Sequence, residues 1–384
     1  MNFELPADQI NEAVSWRRHL HQNPELGFKE VKTSDFVARK LNEWGYEVAS
    51  GYGKTGLVGT LRKGTSSQVI GIRADMDALP ISEETSLSYA SRTPGVMHAC
   101  GHDGHVASAL AAARALTSVH FDGVVKFVFQ PAEENEGGAK AMVDDGLFRD
   151  HPVNAIFGMH NWPALPVGSL VARADQMMAA FGTFEIVVEG RGAHGAMPHE
   201  GADPVVAASQ IVAALQTISS RNISPLQSAV LSVTQIHGGD AWNVIPERVV
   251  LRGTTRWFDE NTGARIQERL TKVATSVAAG LGCKTTIDYK SRYPATINDP
   301  IQASVVREAA SKMTTLSVVD AFPSMAAEDF AFMLRAQPGC YFWLGAARVG
   351  GENPGLHSSR FDFNDAILPQ AAKMWVALTQ FALK

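Results

Sequence analysis

Nine consecutive residues, MHACGHDGH at 97–105, gather one thiol and three imidazoles in a chain that holds only 12 histidines. Cys100 and His102 stand two apart in a Gly-containing turn just before a helix, so both side chains can reach one ion. Alone, the segment also reads as a buried cysteine beside histidines at a helix start. A second signal sharpens the first. The strand VVKFVFQ (124–130) runs into PAEENEGG and delivers the adjacent carboxylates Glu133 and Glu134 to its C-terminal edge, where open α/β sheets hold ligands. Neighbouring carboxylates point in different directions, so one can bind metal while the other stays free as a base toward metal-bound water. The strand AIFGMH ends in His160, and a Gly/Pro/Ser loop, NPGLHSS, carries His357. Taken singly, such a histidine packs or caps, and an acidic loop is solvated surface. Together the five complete a metal-binding set: Cys100, His102, Glu134, His160 and His357.

The charge balance of that set indicates its chemistry. A Cys100 thiolate and Glu134 carry −2 and three neutral histidines carry 0, so two divalent ions leave the site near +2 and suited to an anionic substrate. Metal-bound water can have its pKa lowered to about 7, with Glu133 taking its proton and later handing it to a leaving amine. That is the chemistry of amide hydrolysis.

The elements that must position these residues read as an α/β protein. At 384 residues, and at about 150 residues per domain, the chain holds two to three domains. Apolar positions at helical spacing over 7–22 and 30–44 predict two opening helices, the second ending at Gly45. Strands at 69–75, 124–130 and 155–160 alternate with helix-like stretches, which implies a parallel-containing sheet. From 182 the texture changes to strand, helix, strand, strand, helix, strand, the order of a split βαβ sandwich, with Asp203 and Pro204 at N-cap and N1 of its first helix. The expected organisation is a three-layer αβα catalytic domain from 1–181 and 294–384, interrupted by a smaller α+β domain at 182–293.

Composition narrows the partners. The hydrophobic and charged fractions, 45% and 19%, are globular averages. A net charge of −5 without a basic run leaves no nucleic-acid surface. No segment approaches the roughly 18 apolar residues of a membrane span, and the N-terminus lacks an export signal. Three widely spaced cysteines do not make a disulfide framework, so the expected compartment is reducing, the cytoplasm.

The motifs RRHLHQNPELGFKE, RADMDALPI, MHACGHDGH, FQPAEE, GMHNWP, GRGAHGAMPH, NVIP, AEDF and GLHSS, in this order from about residue 13 to 383, resemble the dinuclear metal amidohydrolases of the aminoacylase and carboxypeptidase superfamily. The nearest branch is that of hippurate hydrolases and auxin-conjugate hydrolases. The resemblance implies two divalent ions per subunit (zinc, manganese, nickel or cobalt), an inserted dimerisation or lid domain, and a homodimer or higher homo-oligomer. It assigns the same five metal ligands and the same base, Glu133. It further implies that His194 reaches a neighbouring subunit's site to stabilise the oxyanion, and that Asn243 and Arg256 contact the substrate, Arg256 at its carboxylate. In the wider superfamily the first ligand lies in a His-x-Asp segment. RADMDALP has Asp75 and Asp77 without that histidine, so the ligand set is the Cys-containing version, with Asp77 or Asp103 available to orient a ligand. Glu328 and Asp329 of AEDF either support the site or cap the helix that starts nearby, with capping the default reading.

The expected activity is hydrolysis of N-acyl amino acids, hippurate-like N-aroyl or others, to a carboxylic acid and a free amino acid. An alternative within the family is deacetylation of N-acetyl amino acids or N-acetyldiaminopimelate. Two other classes compete: a Cys100 nucleophile paired with His98, His102 or His105, and a metal- or peptide-binding scaffold. The first leaves Glu134, His160 and His357 without a role, and the second leaves Glu133 without one.

Overall fold

The computed structural model describes residues 4–134 and 136–384. The chain forms two compact units: Met1–Met177 with Thr296–Phe322 and Asp329–Lys384, and Met178–Ala295 with Pro323–Glu328. The second unit takes in residues 323–328 from the later part of the chain. That segment joins the second unit because the Ala179 N–H donates to the carbonyls of Ser324 and Ala326.

The first unit opens with α1 (Ala7–Gln22) and α2 (Val31–Glu43), the latter followed by Gly45 at φ +79°. Its strands β1 (Glu47–Tyr52), β2 (Gly56–Lys63), β3 (Val69–Asp75), β4 (Gly123–Gln130) and β5 (Ala155–Pro166) lie in an eight-stranded sheet. The order is β1-β2-β4-β3-β5, then Gly339–Ala347, Ser169–Val171 and Ser317–Val318. β4, β3, β5 and Gly339–Ala347 run parallel. Every residue of β4 is buried, Lys126 and Gln130 included, as in a strand covered on both faces. From β3 the chain crosses to β4 on one side and returns to β5 on the other. That reversal opens a crevice at the carboxyl ends of these strands.

Helix α3 (His102–Leu116) is buried along almost its whole length, which its run of alanines permits against close neighbours. It packs with α1 and the closing helix Leu368–Ala382 in one core that includes Ile72, Phe127, Phe157 and Phe342. The residue before α3, Gly101, has φ +97°, and a Cβ there would lie 2.3 Å from Asn161 Oδ1. Only glycine tolerates both conditions.

The second unit is a four-stranded antiparallel sheet, ordered Ala229–His237, Arg248–Trp257, Ala180–Glu189, Lys284–Tyr293. Helices Pro204–Thr217 and Glu260–Gly280 pack on it around Ile186, Leu251, Ile211 and Leu270. The expected cap is present: Asp203 accepts from the N–H groups of Val205 and Val206. Among the described residues no helix is long and apolar enough to cross a membrane.

Candidate metal centre

The five candidate ligands and Glu133 all belong to the first unit, brought to the carboxyl rim of the parallel strands by separate segments. Cys100 and His102 flank the αL turn at Gly101. His160 lies on β5, its Nε2 3.3 Å from Cys100 Sγ. The Glu133–Glu134 loop leaves β4 through Ala132, whose φ is +51°. The Ala132 N–H donates to Glu30 Oε1 at 2.8 Å, and this bond holds the turn. His357 also has positive φ, +66°, and its N–H is anchored on the Ala99 carbonyl at 2.8 Å.

The donor atoms converge in overlapping groups whose members lie within 4.8 Å of one another: Cys100, His102 and His160; Cys100, Glu134 and His357; His102, Glu133 and Glu134. Hydrogen bonding sets the tautomers. His102 Nδ1 donates to the Asp77 carbonyl (2.9 Å) and faces Asp77 Oδ1 (3.2 Å). His160 Nδ1 donates to the Asn161 carbonyl (2.7 Å). Each imidazole therefore turns its Nε2 toward the site. His102 Nε2 and Glu134 Oε1 are buried without a hydrogen bond; Glu134 Oε1 lies 3.0 Å from His357 Nε2 but out of alignment.

Electrostatics point the same way. Burial, with Glu134, Glu133 and Asp75 nearby, pushes the Cys100 thiol well above its usual range. Burial opposes a charge on His102, but Asp75, Asp77 and Glu134 outweigh it and push that histidine up to about 10. Burial holds His160 well below its ordinary value. A buried cluster this rich in carboxylates attracts a cation, and thiol, imidazole and carboxylate donors at this spacing suit divalent metal. The same burial argues against Cys100 as a free nucleophile, which needs a lowered pKa.

The matching family model, described as Peptidase family M20/M25/M40, covers residues 71–380. The chain belongs to peptidase family M20. Its relatives include the hippurate hydrolase of Campylobacter jejuni, 40% identical over 96% of both chains. The N-acetyl-L-cysteine deacetylase of Bacillus subtilis is 42% identical over 86% of this chain and 80% of its own. Among solved structures, the YxeP protein of Bacillus subtilis, a dinuclear metal binding peptidase from the M20 family, superposes with a TM-score of 0.85. It is 35% identical and is covered over 99% of its length by 98% of this chain.

In this M20 protein the remaining sequence candidates sit in the second unit. His194 pairs with Val244 in a short two-stranded ladder, and the neighbouring Gly195 N–H donates to the Asn243 carbonyl at 2.7 Å. His194 is thus beside Asn243, with its Nδ1 accepting from the Ala196 N–H at 3.1 Å. Arg256 is half-buried over the Phe181 ring, 4.6 Å from its centroid. Its Nε donates to the Met325 carbonyl at 3.1 Å and its Nη1 to the Thr255 carbonyl at 3.1 Å and to Thr254 Oγ1.

Of the two aspartates weighed as orienting groups, Asp77 serves and Asp103 does not. Asp77 also accepts the Glu134 N–H through Oδ2 at 2.9 Å. Asp103 turns away to His21 Nδ1 (2.8 Å) and Arg17. Beyond Asp77, the sequence reading missed the layer behind the candidate ligands. His105 Nδ1 lies 2.6 Å from Asp75 Oδ1, and its Nε2 lies 2.6 Å from Asn161 Oδ1 and 3.1 Å from the Asn161 backbone nitrogen, so α3 grips the residue next to His160. The available signal was the third histidine of MHACGHDGH, one helical turn after His102.

Asp329 also departs from expectation. The following helix, Ala331–Ala336, has no side-chain cap, because the Asp329 carboxylate instead accepts from Arg73, Gln130 and the Ala139 N–H.

Proposed function

We propose that this M20 protein is a metal-dependent amidohydrolase that cleaves N-acyl amino acids to a carboxylic acid and a free amino acid. The carrying observation is a thiol, imidazole and carboxylate cluster, buried at Cys100, His102 and His160 and open at His357, with a second carboxylate, Glu133, beside it. The names of its relatives, hippurate hydrolase and N-acetyl-L-cysteine deacetylase, favour a short N-acyl or N-aroyl group on an amino acid.

Cys100, His102, Glu134, His160 and His357 would hold two divalent ions. Thiolate and imidazole suit zinc, nickel or cobalt, while the carboxylates also admit manganese. When bound, the ions supply Lewis-acid polarisation of the amide carbonyl and acidify a water. Glu133 takes a proton from the attacking water and returns it to the amide nitrogen as the C–N bond breaks. His194 donates to the oxyanion, in the assembled form from a neighbouring copy in a homodimer. Asn243 and Arg256 bind the substrate, with the remaining guanidinium N–H groups of Arg256 directed to its carboxylate. In this reading the first unit is the catalytic domain and the second the dimerisation and lid domain. The free thiols at Cys100, Cys283 and Cys340 suit the cytoplasm.

The test is metal reconstitution. Chelator-stripped protein receives zinc, manganese, nickel or cobalt, and amino-acid release from hippurate and from N-acetyl amino acids is followed. Restored turnover with a clear substrate ranking is expected. Two tightly bound ions without turnover of any N-acyl amino acid would overturn the reading in favour of a metal-binding scaffold.

A further inference from the structure

Glu133 sits on a turn that is tethered at both ends. On the β4 side, Glu30 holds the Ala132 N–H. On the far side the loop runs into the helix α4 (Gly138–Asp144), whose second residue, Ala139, donates its N–H to Asp329 Oδ2 at 2.8 Å. Asp329 is fully buried. Its other oxygen accepts from Gln130 Nε2 at 2.8 Å and Arg73 Nη2 at 3.2 Å. One carboxylate therefore spans the stretch from the last residue of β4 to the first turn of α4, with Glu133 between. The Asp329 backbone N–H also lies 3.3 Å from Glu133 Oε1 and donates to it.

We propose that Asp329 is the positioning residue of Glu133. Its side chain sets the span of the loop and its backbone N–H aims the carboxylate. The inference rests on the reading of Glu133 as the base. Arg73 anchors the arrangement from below: its Nε donates to Gln130 Oε1 (2.7 Å) and its Nη1 to Asp75 Oδ2 (2.7 Å). Because Asp75 remains beside Arg73, neutralising Asp329 does not strand a buried cation. Asp329→Asn is therefore the informative substitution. It keeps one carbonyl oxygen for Arg73 and Gln130 but sets an NH2 group against the Ala139 N–H, so the loop loses its far tether. A displacement of about 1 Å in a reacting group can cost on the order of 100-fold in rate.

The experiment is a double-mutant cycle on the full-length protein, with Asp329→Asn placed in the wild-type and Glu133→Gln backgrounds. Zinc affinity of the stripped proteins is measured alongside by chelator competition. The expected result in the wild-type background is a kcat lower by about 10- to 100-fold, with KM and zinc affinity within about twofold. In the Glu133→Gln background no further loss is expected, because a residue acting through Glu133 has nothing left to position. Equal fold-losses in the two backgrounds, zinc affinity falling in step with kcat, or an unchanged kcat would each overturn the proposal while leaving Glu133 as base. A fully active Glu133→Gln enzyme would instead remove the base, and the inference with it. Should Asp329→Asn fail to fold, Gln130→Met, which keeps the side-chain length and deletes the bond to Asp329 together with the acceptor of Arg73 Nε, goes through the same cycle under the same criteria.

Discussion

Asp77 offers the most quantitative handle on the candidate centre, because one carboxylate serves two ligand segments. Its Oδ1 and its carbonyl face His102 Nδ1, while its Oδ2 takes the Glu134 N–H. Replacing it with alanine removes both side-chain acceptors but leaves the carbonyl, so His102 keeps its tautomer and loses only part of its orientation. The Glu134 N–H is left without its acceptor. Loss of such a group behind a ligand typically costs 10- to 100-fold in metal affinity, or about 1.4–2.8 kcal/mol. Since His102 is only partly released and Glu134 fully, Asp77→Ala belongs at the upper end of that range. Asp77→Asn belongs near the lower end, since its remaining oxygen still serves one of the two donors. Zinc affinity of stripped protein, measured by competition with a chromophoric chelator, is the assay, with thermal unfolding of the metal-free form as control. Affinities of both variants within about twofold of wild type would refute the role given to Asp77. So would a loss matched by an equal fall in metal-free stability.

Three further outcomes are expected. Glu133→Gln lowers kcat by about 10²- to 10⁴-fold, the usual contribution of a general base, with two ions still bound; metal analysis beside steady-state kinetics checks both halves. Burial, with some help from Asp77 and against the Thr55 and Ala132 hydrogen bonds, pushes the Glu30 carboxyl up from 4.5 to about 7. A raised carboxyl pKa gives stability that is full below pH 4.5 and is lost as pH rises to about 7, worth about 3 kcal/mol. Glu30→Gln, which still accepts from Ala132, is therefore more stable than wild type at pH 8 and loses that advantage toward pH 4.5. Urea denaturation across this range checks the trend, and an advantage independent of pH would refute it. Gly101→Ala forces a Cβ toward Asn161 Oδ1 at φ +97°. It destabilises the fold by about 1–3 kcal/mol from backbone strain alone and weakens metal retention; an unchanged melting temperature would contradict the reason given for this glycine.

Much of the centre was legible because its residue types cluster locally and sit where strands must end. β3 matches the expected 69–75 and β4 begins one residue before the expected 124, since short runs rich in β-branched and aromatic residues favour a buried parallel strand. The sequence thereby determined that Cys100, His102, Glu134 and His160 would gather at one rim. His357 joined that set by residue type alone, on a late loop whose local spacing does not show its return to the rim, while His194, Asn243 and Arg256 of the second unit entered through motif resemblance.

Tertiary packing alone decided how those ligands are held. Asp77 and Asp103 are equivalent to any local rule, both being aspartates near a ligand. The choice of Asp77 follows from how β3 lies beside the start of α3, while Arg17 and His21 of α1 claim Asp103. Asp329 likewise reads as a helix cap until Arg73, 256 positions earlier in the chain, is seen beside it. A buried carboxylate takes whichever donors the folded interior leaves within reach. Sequence spacing governs that choice only within a turn or two of helix, and here the donors come from other strands and loops.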